Sequence, residues 1–197
     1  MNTNDILALF RESKALLEGH FQLTSGLHSP SYFQCARVLQ YPENAERLCA
    51  EIVAHFRNQS IDVVISPALG GIVVGQEVGR QLGVRTMFTE REDGVMRLRR
   101  GFEISAGERV LVCEDVVTTG GSVREVVTIV GDRKGTLVGV AAIVDRSGGN
   151  VVFQNFFPAM RMDVVTYAPE VCPLCHNGIP VEKPGSRASE IPQASKR

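Results

Sequence analysis

The run VLVCEDVVTTGGS, Val110 to Ser122, constrains this chain more than any other stretch. Val110 to Cys113 are apolar without alternation, the pattern of a strand covered on both faces in a parallel sheet. Glu114 and Asp115 follow at once, then Val116, Val117, Thr118, Thr119, Gly120, Gly121 and Ser122. Glycine lets backbone approach an anion closely, and Thr and Ser hydroxyls donate alongside exposed amides. The next residues, Val123 to Arg133, read as a helix whose positive N-terminal end favours a phosphate.

Two carboxylates beside an anion site would repel a phosphate unless they hold something else. Ribose hydroxyls and Mg²⁺ are the natural partners. Acids for a sugar and a loop for its phosphate describe a site for a phosphorylated ribose. The run is not a Walker loop, because no lysine follows the glycines.

The flanking chain alternates strand and helix. Ile61–Ser66 is a short apolar strand, Pro67–Gly71 a tight turn, and Gly71–Leu82 a small-residue helix suited to close packing on a sheet. Gly83 stops it, Val84–Thr89 is the next strand, and Leu137–Val144 follows the helix after the central run. This order predicts an α/β fold with a right-handed, mainly parallel central sheet flanked by helices. Ligands in such sheets sit at the carboxyl ends of strands, so the loops after Ser66, Thr89, Val117 and Val144 should converge.

Outside that pattern, a first helix is expected from Thr3 or Asn4 to Gly19, and a second from Pro42 over PENAERLCAEIVAHFRN. Phe21–Gln40 reads as loop or short antiparallel strands, and Val151–Tyr167 as two short strands around Pro158. Arg91–Gly101 carries four arginines and reads as a mobile loop or a hairpin.

The 197 residues suit a single domain, and 44% hydrophobic with 22% charged residues suits a soluble globule. The net charge of −1 gives no footprint for nucleic acid or an anionic membrane. No apolar run approaches the ~20 residues of a membrane span, and no signal peptide opens the chain, so a cytoplasmic location is expected. Five cysteines are an odd number for a secreted disulfide framework. Cys172 and Cys175, with His176 beside them, give three local metal-binding groups where a structural zinc needs four. A structural turn is the favoured reading there.

The run Val110–Ser122 resembles the signature of type I phosphoribosyltransferases, which bind phosphoribosyl pyrophosphate, and fits it at every position. The stretch FQLTSGLHSPSYFQC resembles the substrate-side hood of the orotate phosphoribosyltransferase family, through Phe21, Leu23, Ser25, Gly26, Ser29 and Tyr32 or Phe33. SPALGGI, FTERE and VDRSGG are similar to that family in its order, and the CPLCHNGIPVEKPGSR ending is similar to one of its bacterial branches. The resemblance implies a hood of about residues 1–40 and 165–185, a core of about 41–164, and a frayed tail over 186–197.

It also implies an activity: transfer of the phosphoribosyl group to orotate in pyrimidine synthesis. Phosphoribosyl pyrophosphate would meet Gly70 and Gly71 through the turn's amides, Arg91 through its charge, and Glu114 to Ser122 through the signature. Orotate would meet Arg146, Thr118, Ser25 and Gly26; the bland alternative for Arg146 is an ion pair with Asp145. Mg²⁺ would arrive on the pyrophosphate near Asp115, with no protein ligand of its own assigned. Glu114, Asp115, Arg97 and Arg99 would be catalytic, and the loop would complete a neighbour's site in a homodimer.

The better-known branch carries lysines where this chain has Thr24 and Gly70, and a lysine and a histidine in its loop. Arginine supplies bidentate charge but keeps its proton, because its pKa stays above ~12. Loop catalysis here would therefore act through charge. The alternatives are a purine-type phosphoribosyltransferase, or a non-catalytic sensor of phosphoribosyl pyrophosphate.

Overall fold

The computed structural model describes residues 1–23 and 25–184. The expectations for Thr24 and for the 186–197 tail lie outside these residues. In chain order the elements are α1 (Thr3–Glu12), β1 (Leu16–Gln22), β2 (His28–Phe33), α2 (Cys35–Leu39), α3 (Pro42–Phe56), β3 (Val63–Pro67) and α4 (Gly70–Leu82). Then come β4 (Arg85–Glu92), β5 (Val95–Leu98), β6 (Arg109–Val117), α5 (Gly121–Asp132), β7 (Thr136–Asp145), β8 (Phe156–Arg161) and α6 (Pro173–His176). Among the described residues, no helix is long and apolar enough to cross a membrane.

Met1–Ala15 and Cys35–Val164 form one compact unit, built on a six-stranded sheet ordered β5-β4-β3-β6-β7-β8. Every neighbouring pair is parallel except β4 with β5. Burial explains the expected apolar strands: β3 is buried throughout, and Val110 to Cys113 of β6 are each 0% exposed. Val63, Ile65, Val110, Val112, Val140 and Ala142 form one core with Val123, Val126 and Val130 of α5. Pro158 sits in β8, at the sheet's edge, where a missing N–H costs least.

The other unit comprises Leu16–Gln34 and the segment from Val165 onward. Its β1 and β2 are antiparallel, as expected for Phe21–Gln40 up to the short helix α2. The C-terminal segment joins them through backbone: Gln22 N–H donates to the Glu182 carbonyl at 2.7 Å, and Glu182 N–H to the His20 carbonyl at 2.7 Å. Of the residues 1–40 expected as a hood, those of α1 and α2 group with the sheet unit.

Two further expectations are corrected. The first helix does not run to Gly19. Asn2 caps it in a reciprocal capping box with Asp5, and it ends at Glu12. Ser13 Oγ then donates to the Leu9 carbonyl at 2.7 Å, Lys14 adopts φ +53°, and Leu16, Leu17 and Gly19 pass into β1. Around Pro158 there is one strand where two were expected.

The small residues of α4 permit close packing. A Cβ at Gly79 would lie 2.1 Å from Thr86 Cγ2 and 3.2 Å from the Val84 carbonyl oxygen. Alanine there would gain about 1 kcal/mol of helix propensity but overpack a stiff β-branched neighbour, which costs about 1–3 kcal/mol. Overpacking wins: Gly79→Ala is expected to lower the unfolding free energy in urea by about 1 kcal/mol. Adding Thr86→Ser, which removes that methyl and keeps the hydroxyl, should recover most of the loss.

Candidate functional site

The chain lays β3 and β4 outward on one side, then returns to place β6 against the other edge of β3. β3 and β6 thus flank the sheet's topological switch point, where a crevice opens at their carboxyl ends. The register shows it opening. β3 pairs with β6 only as far as Ile65↔Val112, while β6 continues with β7 to Val117↔Asp145. The released ends carry the Pro67–Gly71 turn on one side and Glu114–Asp115 on the other.

These two pieces touch. A Cβ at Gly70 would lie 2.2 Å from Asp115 Oδ2, and one at Gly71 would lie 2.9 Å from Glu114 Oε1. Glycine at both positions is what lets the turn close on the carboxylates. The turn contains a cis peptide at Ala68–Leu69. Ala68 N–H donates to the Thr89 carbonyl at 2.7 Å, tying the turn to β4. Glu114 is buried, with Oε1 accepting the Asp115 N–H at 3.0 Å. Asp115 Oδ1 accepts the Val116 N–H at 2.8 Å.

Beyond β6, Thr118 and Thr119 are exposed, and the loop turns into α5 through Gly120 at φ +72°. A Cβ on Gly120 would also meet Phe153 at 2.8 Å and Val151 at 3.0 Å, so both space and conformation require glycine. Among the described residues no side chain caps α5, which leaves its first amides to face a ligand. Glu114 and Val116 to Val123 line one concave pocket here. Sequence reasoning missed Arg124. It lies on the first turn of α5, donates to the Thr119 carbonyl, and sits 5.3 Å from the Phe153 ring centroid. Its one signal was a cation three residues after Gly121.

The arginine segment is a hairpin, β4 to β5, turned by Asp93 at φ +51° and Gly94 at φ +81°. Its arginines pair with local acids. Arg91 forms a two-pronged contact with Glu125 of α5 at 2.7 and 3.0 Å and donates to the Gly94 carbonyl. Arg97 lies 3.4 Å from Glu92, Arg99 3.1 Å from Glu92, and Arg100 2.9 Å from Glu90. The Arg100 bond holds the Glu90 carboxyl below its ordinary range.

Arg146 follows β7, and its backbone N–H donates to the Val117 carbonyl at 2.8 Å. Its neighbour Asp145 accepts the Ser147 N–H at 2.9 Å and faces Arg161 at 3.6 Å. Cys35, one of the cysteines that stand alone in the sequence, lies near the charges of this site. Burial pushes its thiol well up, Asp115 adds to this, and Arg146 opposes it. In the other unit, Ser25 and Gly26 form the β1–β2 turn, with Gly26 at φ +85°.

A family model described as "Phosphoribosyl transferase domain" matches residues 36–154. An orotate phosphoribosyltransferase of Chlorobaculum parvum is 58% identical over 190 residues, spanning 96% of this chain and 98% of that one. Another, of Caldicellulosiruptor bescii, is 54% identical over 188 residues, spanning 95% and 99%. Among solved structures, an orotate phosphoribosyltransferase from Aeropyrum pernix superposes with TM-score 0.65 at 20% identity, over 90% of this chain and 91% of that one. An adenine phosphoribosyltransferase from Rhodothermus marinus gives TM-score 0.66 at 17% identity, over 82% and 100%. Both structures share the α/β fold, a mainly parallel sheet between helices.

Glu114 has a displaced proton affinity. Burial pushes its carboxyl well above the usual 4.5, and the charge and hydrogen bond of Asp115 push the same way. A carboxyl raised on folding binds more protons folded than unfolded. Its contribution is complete below the unfolded pKa and is lost as pH rises through the folded one. Wild-type stability should therefore fall as pH rises above the usual 4.5 of a glutamate, and Glu114→Gln should flatten that decline. Urea unfolding across the range checks it; parallel curves for both proteins would refute the assignment.

Proposed function

The chain belongs to the orotate phosphoribosyltransferase family, and we propose that it transfers the phosphoribosyl group of phosphoribosyl pyrophosphate to orotate. The products are orotidine 5′-phosphate and pyrophosphate, a step of pyrimidine biosynthesis. The observation that carries this reading is the carboxylate pair at the switch point, followed directly by a loop that opens the uncapped start of α5. A sugar with acids at its hydroxyls and helix amides at its 5-phosphate suits that order.

In this reading the amides of residues 119–122 take the 5-phosphate, with Arg124 adding charge nearby. The turn offers pyrophosphate the amides of residues 69–71, since Ala68 and Ile72 spend theirs on Thr89 and Leu69 carbonyls. Arg146 and Thr118 hold orotate, the guanidinium matching a carboxylate. Ser25 and Gly26 join orotate binding on sequence resemblance alone.

A ring nitrogen of orotate attacks the anomeric carbon as the bond to pyrophosphate breaks. Positive charge grows on the sugar ring, and Asp115 favours it, oriented by the Val116 amide. Glu114, accepting the Asp115 N–H, helps to fix that residue's direction. The oxygen donors of Glu114 and Asp115, meeting beside the turn, suit a hard cation. Mg²⁺ bound with the pyrophosphate would neutralise the leaving group and template its geometry. The hairpin arginines act by charge, exchanging Glu90, Glu92 and Glu125 for pyrophosphate. In the homodimer of this proposal they serve the neighbouring subunit.

Purified protein with Mg²⁺ and phosphoribosyl pyrophosphate should deplete orotate absorbance and leave uracil and hypoxanthine untouched. Asp115→Asn should lower kcat by about 100-fold or more. Turnover of hypoxanthine alone would move the chain to the purine class, and donor binding with no turnover would favour a sensor. A second test addresses the dimer. Mixing inactive Asp115→Asn with an inactive Arg97→Ala/Arg99→Ala variant should restore activity through hybrid dimers; no recovery would place the arginines in their own subunit's site.

A further inference from the structure

The unit of β1, β2 and the C-terminal segment holds a cluster that phosphoribosyl transfer does not use. His20 and His28 come from the two strands, Cys172 and Cys175 from the C-x-x-C at α6. Their four ligand atoms lie within 4.8 Å of one another. His20, His28 and Cys172 are buried and Cys175 is half-buried. We propose that these four residues bind one structural zinc ion in a tetrahedral N₂S₂ site.

The geometry is close to what zinc requires. Zn–S bonds of about 2.3 Å and Zn–N bonds of about 2.0–2.1 Å give a tetrahedron with edges of about 3.3–3.8 Å. Cys172 Sγ lies 3.6 Å from His20 Nε2, and Cys175 Sγ lies 3.7 Å from His20 Nε2 and 3.3 Å from His28 Nδ1. The two ring nitrogens stand 2.8 Å apart and must separate by about half an ångström to match. Two nitrogen lone pairs at that distance need a proton or a cation between them. His20 Nδ1 donates to the Ile179 carbonyl at 2.7 Å, which leaves the Nε2 lone pair aimed into the cluster. Such an outer hydrogen bond commonly orients a metal-binding histidine. Two thiolates with two imidazoles select zinc over harder cations.

The need for an ion follows from size. Units of about 60 residues or fewer bury only about 60% of the surface their unfolded chain exposes and are marginal in stability. This unit takes little from helix or sheet, and its cysteines are free thiols. Zinc would join two strands to a segment roughly 150 residues away in sequence. The sequence alone favoured a structural turn at Cys172 and Cys175, because only His176 stood near as a further ligand. His176 is exposed and stands outside the four, and the missing ligands come from the N-terminal strands.

The test uses the full chain without an affinity tag, purified under reducing conditions, saturated with Zn²⁺ and gel-filtered. Elemental analysis should find one zinc per chain, and X-ray absorption should show two sulfur and two nitrogen neighbours. Co²⁺ in its place should give the intense visible bands of tetrahedral thiolate ligation. Cys172→Ser/Cys175→Ser should lose the metal, and His176→Ala should keep it. Because the double variant risks misfolding, the intact protein is also stripped with a chelator: its melting temperature should drop and return on adding Zn²⁺ alone. Metal content far below one per chain, zinc retained by the double variant, or a Cys172–Cys175 disulfide in the native protein would overturn the proposal.

Discussion

β6 continues its ladder with β7 after its ladder with β3 has ended, and the rest of the site hangs on that difference. Hydrogen bonding on one side holds the strand rigid through Val117. The lost partner on the other side leaves room for a turn and two acidic side chains. A strand buried on both faces would ordinarily exclude carboxylates. Here they occupy the residues at which the neighbouring strand departs, so the acid pair costs the core little and gains a fixed direction. α5 then begins within a few residues, held by an apolar face on the same sheet.

The sheet was legible because apolar runs without alternation have few other uses. The apolar runs Ile61–Ser66, Arg109–Val117 and Leu137–Val144 lie within two residues of β3, β6 and β7, and Gly83 marked the end of α4 through its left-handed backbone. The failures have a shared cause. Leu16, Leu17 and Gly19 continue a helical pattern on paper, but Ser13 and Lys14 end the helix by a local hydrogen bond and a positive φ that periodicity does not weigh. Asn2 out-competed Thr3 and Asn4 as the cap because only it faces Asp5 across the first turn.

The candidate site was legible where its residues are contiguous. Glu114 to Ser122 needed no long-range information. Contacts between distant segments were not visible: the approach of Gly70 to Asp115, the pairing of Arg91 with Glu125, and the meeting of His20 and His28 with Cys172 and Cys175. A C-x-x-C with one adjacent histidine looks incomplete from its own neighbourhood. Only the pairing of β1 with β2 brings its other two ligands into reach. Exposed ion pairs on the hairpin were equally hidden, and such pairs hold weakly enough to be exchanged.

The contact between Gly70 and Asp115 bears on how far members of this family can be interconverted. The resemblance drawn from the sequence sets Gly70 against a lysine of the better-known branch. Here any side chain at that position begins inside the volume of the Asp115 carboxylate. A lysine grafted onto this chain would evict the acid before its own amine reached any phosphate. The two arrangements are therefore separate solutions, each complete in itself. Passage from one to the other turns the Asp115 side chain away from the Val116 amide as well as changing the residue.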